Sequence, residues 1–146
     1  MNVIFTALTP AHHGWIAENL DPIFCDDTRG ILALDKDKGT ILAAGLMDQW
    51  TKTSCQMHVV IRNPFVIRHG FIHEVFTYVF SYCGRKKAFA LIPGNNKESV
   101  NFAKRIGFSE IGRLPEAYDE GVDYVVCQLD RENCKYIYDE SEKEAA

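Results

Sequence analysis

The chain has 146 residues, of which 47% are hydrophobic and 25% charged, and its formal net charge is −4. This size and balance fit one globular domain with a sizeable core. The acidic charge argues against a surface that coats nucleic acid, and no apolar stretch approaches the ~20 residues that a membrane-spanning helix needs. The N-terminus has neither a basic start nor a small-residue cleavage site, so we expect no secretion signal.

Five cysteines are spread along the chain without any Cys-x-x-Cys pair. An odd number in this arrangement favours free thiols in a reducing compartment over disulfides or a zinc ribbon. We therefore expect a cytoplasmic protein whose cysteines serve mainly as small core residues. They are Cys25, Cys55, Cys83, Cys127 and Cys134.

The first half of the chain is predicted to form strands and one well-marked helix. Residues 3–8 read as a strand, and Thr9 and Pro10 are suited to begin a helix over 11–20. Residues 21–28 are rich in turn formers and leave room for a second short helix. Further strands are predicted at 30–34, 40–48 and 54–61, with a hairpin turn at 35–39.

The second half is predicted to alternate between helices and strands. Residues 62–70 read as a loop and 71–83 as a helix, because apolar residues recur at helical spacing there. Strands at 108–113 and 122–129 are expected to pair across a connection at 115–121. We predict one domain over residues 1–134, followed by an acidic C-terminal tail at 135–146 with a local net charge of −2.

The segment 87–108 carries the most specific signal. An apolar run at 88–92 predicts a buried strand, which Pro93 and Gly94 end. Asn95 or Asn96 is then suited to cap a helix, and Gly107 to stop it.

The spacing of Asn96, Ser99, Phe102, Gly107 and Phe108 resembles the last helix of the GCN5-related N-acetyltransferases, the GNAT superfamily. The element order matches that fold over residues 3–130. The compact size and the loop at 63–70 also look like small members of the fold carried by phages and prophages. The resemblance implies an α/β (α+β) fold: a mixed, mostly antiparallel sheet with helices on both faces and a splayed parallel pair of central strands.

The same resemblance implies a cofactor and a place for it. Acetyl-coenzyme A would lie between the strands at 54–61 and 88–92, and the loop after 61 would wrap its pyrophosphate. That loop departs from the family signature Gln/Arg-x-x-Gly-x-Gly/Ala, since Gly70 can fill only one of the two small positions in either register; a surface loop with solvated arginines is the alternative. The residues implied in cofactor binding are Val60, Ile61, Arg62, Arg68, His69, Gly70, Phe71, Asn96 and Ser99.

The implied reaction is transfer of acetyl to a primary amine by direct attack, without a covalent enzyme intermediate. His58 shares a strand face with Gln56 and Val60, and imidazole ordinarily titrates near pH ~6.5, which suits a general base for the ammonium proton. A hydrogen-bonded sheet histidine is the alternative reading. A backbone amide near Val60 or Ile61 is the implied oxyanion donor.

One residue of the family's chemistry is missing. Many members carry a tyrosine seven residues after the asparagine, where it protonates the departing thiolate, and counting from Asn96 places Ala103 there. A thiolate with an ordinary pKa near ~8.5 needs little help to leave. Tyr118, Tyr124 or water remain open as substitutes.

Partners and rival functions complete the expectations. The acceptor is expected to be a small-molecule or protein amine, Trp50 borders its side of the site, and acidic residues at 48, 119, 120 and 123 would suit a cation. No metal site is expected, although His69 and His73 are four apart. Neither a membrane nor nucleic acid is expected as a partner, and a homodimer stays open. The rivals are a GNAT-fold module that binds coenzyme A or another protein without transfer, an acyltransferase for a different acyl-coenzyme A, and a nucleic-acid-modifying member of the fold.

Overall fold

The computed structural model describes residues 1–20 and 26–137. The strands are β1 (Val3–Ala7), β2 (Arg29–Asp35), β3 (Ile41–Asp48), β4 (Ser54–Ile61), β5 (Lys87–Pro93), β6 (Ser109–Asp119) and β7 (Val122–Asp130). The α-helices are α1 (His13–Asn19), α2 (Phe65–Arg68), α3 (Phe71–Thr77) and α4 (Lys97–Arg105). A π-helical turn, Tyr78–Tyr82, continues α3, and 3-10 turns lie at Pro10–His12 and Arg131–Asn133.

The strands form one sheet in the order β1-β2-β3-β4-β5-β7-β6. Every neighbouring pair is antiparallel except β4 and β5, which are parallel. The predicted mixed, mostly antiparallel sheet with one parallel central pair is therefore confirmed. A parallel pair needs a crossover connection, which α2 and α3 supply.

The parallel pair opens after three residue pairs. Ser54, Cys55 and Gln56 pair with 87–89, but β4 runs on to Ile61 and β5 to Pro93 without further pairing between them. This leaves a wedge between the two strands, which is the feature that the predicted cofactor site requires.

Both faces of the sheet are covered. The larger core cluster lies on the α3 side, where Phe71, Phe76 and Phe80 are among the largest fully buried side chains. A smaller cluster joins Ile16 of α1 to β2 and β3 on the other face. Residues 42–48 of β3 are buried on both faces, which fits a strand in the middle of the sheet.

Three local predictions differ from the structure. The predicted loop at 62–70 contains α2, and the predicted helix at 71–83 is α-helical only to Thr77 before the π turn. The predicted connection at 115–121 is mostly strand, since β6 extends to Asp119. α2 has only four residues, too few to show a helical period in the sequence. The helix that 21–28 had room for falls mainly on residues 21–25, outside the described residues.

β6 forms one edge of the sheet, and all eleven of its residues are exposed. Its backbone bends at Glu116, where φ is 49°, a left-handed conformation that is uncommon for a residue with a side chain. The preceding Pro115 has no amide hydrogen.

The described end of the chain returns to the core. Tyr136 packs edge-on against His73, with ring centroids 5.1 Å apart, and Ile137 contacts the larger core cluster. Residues 138–146 lie outside the described part, so the domain boundary at 134 and the acidic tail stay predictions. Among the described helices, none has the length and hydropathy to cross a membrane.

Candidate functional site

The hydrogen bonds of β4 show which of its backbone groups face the wedge. The Arg62 amide donates to the Leu42 carbonyl of the β3 side at 2.9 Å, whereas the Thr53 carbonyl accepts from the Lys87 amide of the β5 side at 3.0 Å. Backbone groups alternate in direction along a strand. The backbone N–H and C=O groups of even-numbered residues of β4 therefore point towards β3, and those of odd-numbered residues point towards β5.

This alternation assigns the open amides. Past the last paired residue, those of Val59 and Ile61 face the wedge, while that of Val60 faces Ala44 on β3. Of the two amides that the sequence suggested as oxyanion donors, Val60 and Ile61, only that of Ile61 faces the wedge. The Val59 amide faces it as well. Backbone donors fixed by a β-sheet are pre-organised, which is what stabilisation of a developing oxyanion needs.

The wedge continues into a groove made of two joined cavities of about 190 and 480 Å³. The first lies between 57–59 of β4, 90–93 of β5 and the inward face of α4. The second passes along 59–61, Pro64 just before α2, Ile67 of α2, and Arg105 of α4. Leu20, Val59 and Phe102 line both, so the two cavities adjoin each other.

His58 lines the first cavity and contacts a buried carboxylate. Its Nε2 atom lies 3.1 and 3.2 Å from the two carboxylate oxygens of Asp48, which is 8% exposed. A carboxylate accepts the Nε2 hydrogen, so the lone pair of the neutral ring is on Nδ1. His58 is therefore a histidine hydrogen-bonded to the neighbouring strand, with its ring held by Asp48 in the wall of the first cavity. The sequence alone suggests Asp48 only as part of an acidic mouth, because its contact with His58 depends on how β3 and β4 pair.

α4 contributes the predicted cap and the missing tyrosine position. Asn96 accepts a hydrogen bond from the Ser99 amide at 3.1 Å, which confirms Asn96 rather than Asn95 as the N-cap. Both residues also line the two cavities. Ala103 lies in the wall of the first cavity, so the expected place of the family's tyrosine is occupied by a methyl group.

The loop expected to hold a pyrophosphate uses most of its amides internally. The amides of Val66, Ile67, His69 and Gly70 donate to carbonyls of residues 63–67 at 3.1–3.3 Å, and that of Phe65 to the Asn63 side chain. These donors are not available to an anion in this conformation. The departure from the glycine-rich signature thus coincides with a short helix in the loop.

The predicted charged residues of that loop lie outside the groove lining. Arg62, Arg68 and His69 are exposed; Arg62 donates to the Asn19 side chain, and Arg68 lies 5.9 Å from the Phe65 ring centroid. The cation among the residues that line the second cavity is Arg105, which no sequence pattern indicated. Arg105 lies near this cavity only because α4 packs beside β4.

Gly70 and Phe71 form the start of α3, where only backbone groups could contact a ligand. Gly70 has a φ of 88° at the N-cap of α3, a conformation that glycine adopts without steric cost. The Phe71 side chain is fully buried in the core, so only its backbone can meet a ligand. The first amides of a helix have no intrahelical acceptor.

The other aromatic candidates lie elsewhere. Tyr118 and Tyr124 pack against each other with centroids 5.4 Å apart, and neither lines the groove. Trp50 is half-buried beside Arg85, away from the wedge. No cluster of three or more histidine, cysteine or acidic residues suited to a metal ion occurs within residues 1–20 and 26–137.

The cysteines of the described residues are free thiols. Burial raises the pKa of Cys55 to about 12 and also raises the pKa of Cys127 and Cys134. These thiols stay protonated and are poor nucleophiles at neutral pH. Cys25 lies outside the described residues.

The sheet order, the splayed β4–β5 pair and the capped α4 define the fold of the GCN5-related N-acetyltransferases. Three similar solved structures are of the spermidine/spermine N-acetyltransferase SpeG from Vibrio cholerae. The structure with manganese ions shares 13% identity with this chain, covers 88% of this chain and 92% of its own, and has a TM-score of 0.73. A structure of mutant forms shares 12% identity, covers 90% of this chain and 96% of its own, and has a TM-score of 0.75. A third structure, spermidine N-acetyltransferase with CoA and spermine, shares 13% identity, covers 90% of this chain and 96% of its own, and has a TM-score of 0.73.

Sequence comparison gives no further assignment: no family model and no curated protein matches the chain. At these identities the likeness shows the fold alone.

Proposed function

We propose that this protein transfers acetyl from acetyl-coenzyme A to a primary amine. The observation that carries the proposal is the open β4–β5 wedge with an oriented histidine in its wall. Its support is threefold: the fold, the two adjoining cavities between β4, β5 and α4, and the His58–Asp48 pair. In the proposed complex the arm pairs with the open edge of β4, in place of the strand that β5 does not supply there.

The proposed reaction is a direct displacement. The amine nitrogen forms a bond to the thioester carbonyl carbon, and the amide of Val59 or Ile61 stabilises the resulting oxyanion. His58 accepts the proton of the amine, directly or through water, and Asp48 stabilises the imidazolium that forms. The C–S bond then breaks, and coenzyme A leaves as a thiolate that takes its proton from solvent.

The proposed cofactor contacts differ along the groove. Val59, Ile61, Asn96 and Ser99 lie where the arm would run. Arg105 is our candidate for a phosphate of the cofactor, with the backbone amide of Phe71 as a second contact. Arg62, Arg68 and His69 would reach an anion only by side-chain rearrangement.

For the acceptor we propose a polyamine as the first candidate. The similar structures are of enzymes named for spermidine and spermine, and one of them holds spermine. The net charge of −4 favours encounter with a polycation over an anionic acceptor.

Two observations favour a second candidate, a coenzyme A-binding module without transfer. Ala103 provides no acid for the leaving thiolate, and the loop at 62–70 uses its amides internally. An acyltransferase that takes a bulkier acyl-coenzyme A is a further variant, because Ala103 leaves room in the wedge.

One experiment separates these functions. Isothermal titration with acetyl-coenzyme A measures binding, and thiol release with spermidine, spermine and simple primary amines measures transfer. Binding with amine-dependent thiol release supports the enzyme, and binding without release supports the module. No binding of acetyl-coenzyme A or longer acyl-coenzyme A would sink all coenzyme A functions.

A further inference from the structure

The first cavity is closed at one end by the pairing of its two strands. Residues 54–56 of β4 pair with 87–89 of β5, and the wedge begins just beyond them at Met57 and Ala90, which both line the cavity. The second cavity adjoins the first at the opposite end, along 59–61. A ligand that enters along the groove therefore stops where the two strands come together.

Apolar side chains of the core line this closed end and keep part of their surface accessible. Four of them are 4–8% exposed although they belong to the larger core cluster, and they are Met57, Ala103, Ile106 and Phe108. Ala90, which is half-buried, lines the same end from β5. Apolar surface that is open to a cavity is stabilised when an apolar group of a ligand covers it.

Two alanines from opposite walls make room at the closed end. Ala103 lines it from α4, and Ala90 lines it from β5. Each contributes a single methyl group, so a larger side chain at either position would occupy part of the cavity. The position of Ala103 matters most, because it is the place where the resemblance leads one to expect a tyrosine.

The distance from the thioester to the closed end sets the length of acyl group that fits. In the proposed complex the phosphates lie towards Arg105, so the acyl group points the other way, towards Met57. A strand rises about 3.3 Å per residue, so a carbonyl held by the Val59 amide lies about 7 Å from Met57. This depth exceeds what the single methyl group of acetyl needs and suits a chain of a few carbons.

The base proposed for the acceptor lies on the other face of the sheet. Side chains alternate along β4, so His58 is on one face while Met57 and Val59 are on the other. His58 contacts Asp48, whereas Met57 belongs to the core cluster on the α3 side. A longer acyl chain beside Met57 therefore leaves the place where His58 would receive the amine free.

We propose that the closed end of the wedge is an acyl pocket that binds propionyl and butyryl groups more tightly than acetyl, and that Ala103 sets the length that fits. The inference rests on the proposed function, because it concerns the donor of that same reaction. The chemistry is unchanged. The amine nitrogen bonds to the carbonyl carbon and loses its proton to His58, and the C–S bond breaks with its electron pair on sulfur.

Calorimetry with a series of acyl-coenzyme A donors tests the pocket without any need for transfer. Burial of one methylene group tightens binding about fourfold, so affinity should rise about tenfold or more from acetyl to butyryl. It should fall again for palmitoyl-coenzyme A, whose chain is longer than the pocket. Equal or weaker binding of propionyl and butyryl overturns the proposal. A rise that continues to palmitoyl also overturns it, because it shows unspecific adsorption of apolar chains.

Variants of α4 locate the pocket. Ala103→Leu fills it, so butyryl-coenzyme A should then bind no more tightly than acetyl-coenzyme A. Ala103→Val is a smaller step that should lower the ratio of the two affinities part of the way. Asn101→Leu adds the same leucine to the exposed side of α4 and should keep the ratio of the parent. Circular dichroism establishes that each variant is folded, and an unchanged ratio in folded Ala103 variants overturns the role of Ala103.

Amine-dependent thiol release from the same donors tests the proposed transfer separately. A preference for butyryl without thiol release supports the pocket and removes the transferase. Thiol release from acetyl-coenzyme A without any chain-length preference supports the transferase and removes the pocket. A protein that binds none of the donors has neither.

Discussion

The Nε2 atom of His58 lies 3.1 Å from the Oδ2 atom of Asp48, across the β3–β4 pair. In the register of that pair Asp48 is opposite Gln56, so it reaches His58 along the diagonal.

If His58 is the base of the proposed transfer, His58→Ala should lower turnover about 100-fold near neutral pH. The loss should shrink as pH rises, because solvent then deprotonates the ammonium. Thiol release across pH measures this, and parallel profiles in both proteins would count against a base.

Asp48 should act through His58. We expect Asp48→Asn to lower turnover about tenfold or more without changing acetyl-coenzyme A affinity, and to add little to His58→Ala. Asp35→Asn is the matched control, because Asp35 is also a buried aspartate but lies at the β2–β3 hairpin. Additive effects of the two substitutions would show that Asp48 has a separate role.

Closing the wedge should abolish cofactor binding. Ala90 of β5 lines the first cavity, so Ala90→Phe should fill it and weaken acetyl-coenzyme A at least about tenfold in calorimetry. Ala17→Phe, on the exposed side of α1, is the control. Unchanged affinity in a folded Ala90→Phe protein would place the cofactor elsewhere.

Two glycines should respond to alanine with opposite sign. Gly70 has a φ of 88°, so Gly70→Ala should lower the free energy of unfolding by about 1–2 kcal/mol. Gly14 lies in α1 with open space around its missing Cβ, so Gly14→Ala should raise it by about 0.4–1 kcal/mol. Urea unfolding measures both. A stable Gly70→Ala protein would mean that the α3 N-terminus is built differently.

The α4 cap should contribute measurably to stability. Asn96→Ala removes the acceptor for the Ser99 amide and should cost about 1 kcal/mol, whereas Asn96→Asp should keep most of it. Asn95→Ala tests the neighbouring exposed asparagine and should change little. Thermal unfolding of the three variants distinguishes them, and equal losses at both positions would contradict the assigned cap.

Cys55 should make stability depend on alkaline pH. Burial raises its pKa from 9.0 to about 12, so the unfolded chain releases this proton first as pH rises. The free energy of unfolding should therefore fall between pH 9 and 12, by up to ~1.4 kcal/mol per pH unit from this group. Urea titrations of the parent and Cys55→Ala should differ in slope there and run parallel below pH 8. Parallel curves throughout would show that Cys55 ionises normally.

Local sequence signals account for much of the fold and part of the site. The Asn96 cap, the Pro93–Gly94 strand end and the hairpin at 35–39 each depend on residues close in sequence, and the structure has all three. The wedge followed from the resemblance rather than from any local pattern.

The features that no local pattern predicts depend on register and packing. A shift of one residue between β3 and β4 would exchange the direction of the Val59 and Val60 amides, and no residue type encodes that direction. The Asp48–His58 contact depends on the same register. A separate cavity outside the groove joins segments near 27, 50 and 78–85, which meet only after the sheet forms.

The outermost strand, β6, limits how far the sheet can widen. A strand from another molecule could not accept a hydrogen bond from Pro115, which has no amide hydrogen. The Glu116 amide already donates to the Asp123 carboxylate of its own chain at 3.0 Å. Continuous backbone pairing from outside is thus confined to residues 109–114. A strand added at this edge could pair with six residues at most, so the added pairing would stop well short of the eleven residues of β6.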